Sequence, residues 1–270
     1  MKSTLRSLRN KGNFYEQRYC FEGISNARDM GGLKTKDGKT IRSHALIRSA
    51  KLSSANHRDE LKLRDEYHLK KIIDLRTATE RLEKPDAYID GAKYLHLPVF
   101  KSATAGITHE EEVKMLEDAG GLSPFYYHMV MDEDCRRNFN TILNEIFSFP
   151  YREGSVLWHC TEGKDRCGLV SAFVLLALGV DLDEVKKDYD LTNRVNEPKA
   201  RKYYDAVMEN GGPIEKAEYV RDMYLAKPEY LQTSIDAIIK NYNDFDTYFE
   251  KGLYLDRKLI EYFRNSILID

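Results

Sequence analysis

The segment from Ser155 to Val180 constrains this chain more than any other. It reads as an apolar run S-V-L-W-H, a polar stretch C-T-E-G-K-D-R-C, and the long apolar run from Gly168 to Val180. The first run has the composition of a buried strand. The last is shorter than the roughly 18 residues of a membrane-spanning helix, so it reads as a core helix. A loop that closes directly onto a helix start presents backbone N–H groups without intrahelical partners, together with the positive end of the helix dipole. The chain is therefore expected to fold around a preformed anion cup formed by Thr161, Glu162, Gly163, Lys164, Asp165 and Arg166. Gly163 stands where the chain needs a sterically free residue to curl those N–H groups inward.

The side chains of this loop suit one kind of chemistry. Cys160 opens it, where the N–H dipoles and Arg166 favour the thiolate. Arg166 can grip two non-bridging oxygens of a phosphoryl group in its planar fork, which lysine does less well. A soft nucleophile beneath a bound oxyanion is the apparatus for phosphomonoester hydrolysis through a phosphocysteine intermediate. The N–H donors and Arg166 would meet the charge of the transferring group, so the chemistry calls for no metal and no cofactor. Glu162 and Lys164 are expected to offset one another on the rim, and without a second cation phosphotyrosine protein is favoured over inositol lipid as substrate.

The rest of the chain is consistent with a globular support for that loop. Over 270 residues, 42 Lys and Arg balance 44 Asp and Glu, a net charge of −2. That balance argues against a nucleic-acid partner, whose binding rests on excess cations. No repeat or linker divides the chain, so residues 1–270 read as one domain, with 1–17 as an N-terminal arm and 181–270 as a helical C-terminal portion. There is no transmembrane run and no apolar segment of a secretory signal. Four cysteines without a C-x-x-C pair suggest a reducing compartment, hence the cytoplasm.

Short β-rich runs at Ala45–Ile47, Lys71–Leu75, Tyr94–Val99 and Ser155–His159 alternate with helical patterns. Asn56–Tyr67 starts at an asparagine cap, and Thr77 with Glu80, like Thr108 with Glu111, has capping-box spacing. Arg136–Phe149 places Phe139, Ile142, Leu143, Ile146 and Phe147 on one helical face. Helices follow over Asp181–Asn193, Pro198–Asn210, Ile214–Ala226 and Pro228–Tyr242, with a last segment to the C-terminus. Strands alternating with helices indicate an α/β layer architecture.

The loop H-C-T-E-G-K-D-R-C-G resembles the H-C-x-x-G-x-x-R loop of cysteine-dependent protein tyrosine phosphatases. The variant G-K-D-R, with N-A-R-D-M-G-G-L at 26–33, L-I-R-S-A at 46–50 and I-I-D-L-R at 72–76, resembles the bacterial and fungal tyrosine/serine phosphatase family. The similarity extends to the tail around Asn241–Leu255. It implies a central, mainly parallel sheet flanked by helices, and dual-specific hydrolysis of phosphoproteins, in some members also of phosphoinositides, with inorganic phosphate as product. One residue departs from the pattern. Cys167 stands where the wider superfamily has Ser or Thr, whose hydroxyl supports the thiolate, and a thiol is a weaker donor. Cys167 could also trap an oxidised Cys160 as a disulfide.

Expelling a phenolate or alkoxide calls for a proton. Asp165, the loop aspartate proposed as the acid in the resembled family, is the first candidate, and the alternative is that it caps the following helix. Asp74 is the second, at the C-terminal end of a strand where α/β sites form, and the alternative is an ion pair with Arg76. Asp132, Glu133 and Asp134 are a third option, which reads more readily as a solvated turn; Arg28 with Asp29 reads as a structural pair beside the Gly31-Gly32 turn, and Arg48 likewise as structural. His159 is expected to orient the loop, and Cys20 and Cys135 to be inert. Two other classes fit less well: a rhodanese-like sulfurtransferase, and a phosphoprotein-binding module that does not turn over.

Overall fold

The computed structural model describes residues 21–100 and 122–270. The expectations for an arm at 1–17, for Cys20 and for a capping box at Thr108 and Glu111 lie outside these residues. The strands are β1 (Arg28–Asp29), β2 (Thr40–Ile41), β3 (Leu46–Ser49), β4 (Leu69–Asp74), β5 (Lys93–His96), β6 (Ser155–His159) and β7 (Leu268–Ile269). One sheet has the order β1-β3-β6-β4-β5, with β3, β6, β4 and β5 parallel and β1 antiparallel at the edge. A second, two-stranded sheet pairs β2 with β7. β6 is flanked on both sides and buried at every residue, as its continuous apolar pattern requires. β5 stops at His96, short of the run to Val99, although Leu97 and Val99 still donate to the Asp74 and Leu75 carbonyls at 2.9 and 3.4 Å.

The sheet has two covered faces, set by the period of two. The row Ile47, Leu157, Ile72 packs into a smaller core with Ile24, Leu52, Leu63 and Ile89. The next row places Trp158 and Ile73 in the larger core. The helices are α1 (His57–Leu61), α2 (Ala78–Glu83), α3 (Leu122–Met131), α4 (Glu133–Phe147), α5 (Asp165–Leu178), α6 (Leu182–Asp190), α7 (Asn193–Glu209), α8 (Ile214–Tyr224), α9 (Pro228–Tyr242) and α10 (Arg257–Ile267). Helix α5 buries every residue from Cys167 to Leu178 except Leu176, so the long apolar run is a core helix. It closes at Gly179 in the left-handed region, φ 84°. Phe139, Ile142, Leu143, Ile146 and Phe147 of α4 all join this core, with Phe263 stacked on Phe147 at 4.3 Å. Among the described residues no helix is long and apolar enough to cross a membrane.

Local end signals worked where both halves of a cap are sequence neighbours. Asn56 and Thr77 each make a reciprocal capping box, with Asp59 and Glu80 respectively. Asp132 caps α4 by accepting from the Cys135 N–H, so the cluster 132–134 is a helix start and not a solvated turn. Helix α3 had no such signal. Helix α7 begins at Asn193, ahead of the Pro198 start, because Asn193 and Asn196 are tied to the α8–α9 connection: Asn193 bonds both the N–H and the carbonyl of Ala226, and Asn196 the carbonyl of Tyr224.

A buried ionic cluster fastens α6 to the sheet. Arg28 of β1 sends Nε to Asp188 Oδ1 at 3.1 Å, and Arg48 of β3 sends Nη1 to Asp188 Oδ2 at 2.7 Å. All three residues are at most 1% exposed. Buried charges persist only when paired and hydrogen-bonded, and removing one partner strands the others. Asp188→Asn keeps the volume but leaves two guanidiniums uncompensated. It is expected to destabilise the fold by about 3–5 kcal/mol, read as a lowered urea midpoint. A loss near zero would mean the cluster is not holding the fold.

Candidate active site

The polar loop runs from the end of β6 to the start of α5, with Cys160 at its base, 2% exposed. Gly163 has φ 65°, and a Cβ there would stand 2.6 Å from the Ser49 carbonyl oxygen, so only glycine fits the turn. The loop carbonyls are held from one side. Asn26 Nδ2 donates to the carbonyls of Glu162 at 3.1 Å and Gly163 at 3.0 Å, and Arg48 Nη2 donates to that of Gly163 at 2.8 Å. In a planar trans peptide the N–H points opposite to the C=O. The N–H groups of Gly163 and Lys164 therefore turn away from Asn26 and Arg48, so side chains remote in sequence set the direction of these donors. Arg28 Nη1 in turn donates to Asn26 Oδ1 at 2.6 Å, tying this brace to the Asp188 cluster.

Arg166, the second residue of α5, meets Glu80 end-on: Nη1 to Oε2 at 2.6 Å and Nη2 to Oε1 at 2.7 Å. Glu80 also accepts from the Thr161 hydroxyl and from the Thr77 N–H at 2.8 Å. One carboxylate thus closes the cap of α2 and fixes the plane of the Arg166 guanidinium. Burial works against the Glu80 charge, but Arg166, with Thr161 and the Thr77 N–H, outweighs it and holds the carboxyl well below its ordinary range. Glu80 was legible in the sequence only as a capping residue. Asn26 was legible only as the first residue of N-A-R-D-M-G-G-L, and Tyr126 and Tyr189 carried no signal of their own.

The rim differs from the sequence expectation. Glu162 pairs with Lys199 of α7 at 2.5 Å, and Lys164 is buried, 1% exposed. The Lys164 ammonium donates to the carbonyls of Met223 at 2.5 Å and Leu225 at 3.3 Å and lies 3.3 Å from Asp165 Oδ1. Glu162 and Lys164 therefore do not offset one another: neighbours in an irregular loop diverge, and each meets a different part of the helical portion. Asp165 is the first residue of α5, and its Oδ1 accepts from the Tyr126 hydroxyl at 2.6 Å. The start of α5 has no side-chain cap, so the capping alternative for Asp165 is not what the carboxylate does here.

Asp74 is in different surroundings. It is fully buried, and Arg76 takes both oxygens, Nε to Oδ1 at 2.9 Å and Nη2 to Oδ2 at 2.8 Å, while the Tyr94 hydroxyl also donates to Oδ2. Burial opposes its charge, but Arg76, His159 and Tyr94 outweigh burial and lower its pKa. The ion-pair alternative is thus the arrangement present, and Asp74 is spent on structure. Asp86 accepts from the same guanidinium at 2.6 Å and lies 3.2 Å from His159 Nε2, while His159 Nδ1 is 3.5 Å from the Cys160 carbonyl oxygen. Asp74, Asp86 and His159 are close enough to share a metal ion, but Arg76 already supplies the positive charge between the two carboxylates. Cys167 is fully buried, and burial pushes its thiol up to about 11. Its Sγ lies 3.7 Å from the Trp158 carbonyl oxygen, to which it donates, a partner on β6 in place of the nucleophile that the wider superfamily's hydroxyl supports. Cys135 is likewise buried, its thiol pushed up to about 12.

The Glu80 and Arg166 pair has a pH signature. Because Glu80 is held ionised below its unfolded value of about 4.3, the pair adds stability above that pH and loses it as pH falls toward the folded value. The urea midpoint of Glu80→Gln is expected to lie below wild type by a constant amount from about pH 7 to 5, and the gap to narrow below about pH 4.3. A gap that is unchanged on acidification would refute the pairing.

Comparison with known proteins finds relatives of this chain. A model of the tyrosine phosphatase family matches residues 19–269. A Cupriavidus necator protein that carries a tyrosine-protein phosphatase name is 26% identical over 241 residues, covering 88% of this chain and 84% of that protein. The triple specificity protein phosphatase PtpB of Mycobacterium tuberculosis is 25% identical over 258 residues, 84% of this chain and 90% of that one. The crystal structure of Pseudomonas aeruginosa TpbA aligns over 73% of this chain and 90% of its own, at 19% identity and a TM-score of 0.33. With its loop of Cys160 to Arg166 seated between a central parallel strand and a buried helix, and with nearly its whole length matched, this chain belongs to the tyrosine phosphatase family.

Proposed function

We propose that this protein hydrolyses phosphotyrosine in proteins or peptides, with secondary activity on phosphoserine, through a phosphocysteine formed on Cys160. The observation that carries the reading is the brace of Asn26 and Arg48, which turns the loop N–H groups of Gly163 and Lys164 to one side beside Cys160 and Arg166. In the first step the Cys160 thiolate attacks phosphorus, the bond to the leaving oxygen breaks, and Asp165 gives that oxygen its proton. In the second, water attacks phosphorus, its proton goes to the Asp165 carboxylate, the S–P bond breaks, and inorganic phosphate leaves with the thiolate restored. Arg166 and the loop N–H groups meet the charge on the phosphoryl oxygens throughout, so no metal is needed. Thiolate chemistry needs a reduced Cys160, which supports a reducing compartment such as the cytoplasm.

The burial of Lys164 supports a phosphoprotein over a phosphoinositide: its ammonium is committed to the carbonyls of Met223 and Leu225, and Lys199 to Glu162. The resemblance to dual-specific phosphatases, some of which also take phosphoinositides, makes all three substrate classes the proper panel. Wild type is expected to hydrolyse p-nitrophenyl phosphate in excess EDTA and to rank phosphotyrosine peptide above phosphoserine peptide and phosphoinositide. Cys160→Ser should lower every rate by at least about 10³-fold. Undiminished turnover by that variant would overturn the assignment, and phosphopeptide binding by wild type without phosphate release would favour a binding module.

A further inference from the structure

Asp165 is met by a chain of two buried phenols. Tyr126 Oη lies 2.6 Å from Asp165 Oδ1 and 2.6 Å from Tyr189 Oη. Tyr126 is 0% and Tyr189 3% exposed. The chain is fixed from several elements. Tyr126 of α3 stacks on Tyr230 of α9 with ring centres 5.6 Å apart, and its carbonyl accepts from the Ser234 hydroxyl at 2.9 Å. Tyr189 of α6 lies against α5 at Gly168, where a Cβ would stand only 3.1 Å from the Tyr189 ring.

The direction of this chain follows from proton counting. A phenol has one proton to donate, and an ionised carboxylate can only accept. Tyr126 therefore donates to Asp165, and Tyr189 must donate to Tyr126. Both phenols stay protonated, because burial first and the nearby Asp165 charge second push their pKa values far up. Oδ1 also faces the Lys164 ammonium at 3.3 Å. Both partners fall on the same oxygen, and among the described residues no hydrogen bond falls on Oδ2. A proton taken up by Asp165 is thus directed to Oδ2.

We propose that Tyr126, backed by Tyr189, is a positioning residue that keeps Asp165 Oδ1 as an acceptor and so leaves Oδ2 as the oxygen that gives and takes the catalytic proton. The proposal rests on Asp165 being the acid. In the first step the Oδ2–H bond breaks as the leaving oxygen gains the proton, and Oδ1 keeps its bond to Tyr126. In the second, Oδ2 takes a proton from the attacking water. Asp74 has no comparable oxygen, since Arg76 and Tyr94 occupy both of its own.

The test compares leaving groups. p-Nitrophenolate departs without a proton, whereas phenolate, like tyrosine with a pKa of about 10, needs one. Rates on p-nitrophenyl phosphate and phenyl phosphate are measured across pH for wild type, Asp165→Asn, Tyr126→Phe and Tyr189→Phe. Tyr126→Phe keeps the stacked ring and is expected to lose about tenfold or more in kcat on phenyl phosphate, and less than about threefold on p-nitrophenyl phosphate. Tyr189→Phe, one bond further away, should show the same pattern more weakly, and it keeps the proposal testable if Tyr126→Phe folds poorly. Leaving-group-dependent loss in Asp165→Asn with a uniform loss in both tyrosine variants would overturn the phenol chain alone. A uniform loss in Asp165→Asn would overturn the acid assignment and the proposal with it.

Discussion

Arg28 and Arg48 meet on the carboxylate of Asp188, in an interior where an unpaired charge would cost several kcal/mol. The contact joins an edge strand, an inner strand and helix α6, and it does not stop there. Arg48 reaches on to the Gly163 carbonyl, and Arg28 holds the Asn26 side chain that grips the same loop. The loop after Cys160 is therefore held by more than its own residues. Its carbonyls are tied down from behind by a cluster whose partners must all be in place, and its N–H groups take their direction from that constraint.

The loop's side chains are divided among neighbours with different tasks. Arg166 is held flat by Glu80, a carboxylate that also caps α2, so the orientation of the guanidinium depends on a helix following β4. Lys164 turns inward to the connection between α8 and α9, and Glu162 turns outward to α7. The helical C-terminal portion is thus more than a cover for one face of the sheet. It takes both charged side chains that flank Gly163, and α9 supplies the tyrosine on which Tyr126 stacks.

Much of this was legible from local pattern. β6 coincides with the run Ser155–His159, α9 with Pro228–Tyr242, and the capping boxes at Asn56 and Thr77 are both present, because strand period, proline starts and caps depend on residues within one turn of each other. The start of α7 was not legible, since Asn193 is anchored by Ala226 across 33 positions. The same holds for Arg48, whose carboxylate partner lies 140 positions away. A charged residue inside an apolar strand announces that a buried partner exists, but periodicity does not say which one. The rim reading of Glu162 and Lys164 failed for a related reason: short spacing in an irregular loop does not put side chains together.

The strand, loop and helix around Cys160 and Arg166, and with them an anion cup suited to phosphoryl chemistry, follow from residues contiguous in the sequence. Contiguity suffices to announce these elements because strand and helix periods and the unpartnered N–H groups of a helix start are local; the direction of the Gly163 and Lys164 N–H groups is set by Asn26 and Arg48. Tertiary structure gave the two aspartates different surroundings. Asp74 and Asp165 are alike as residues, yet folding brings Arg76 and Tyr94 onto both oxygens of the first, while Tyr126 and Lys164 meet the second on Oδ1. Which oxygen of a carboxylate has a proton to exchange depends on what packs against it, and that is set by the arrangement of α3, α6 and α9 around the loop.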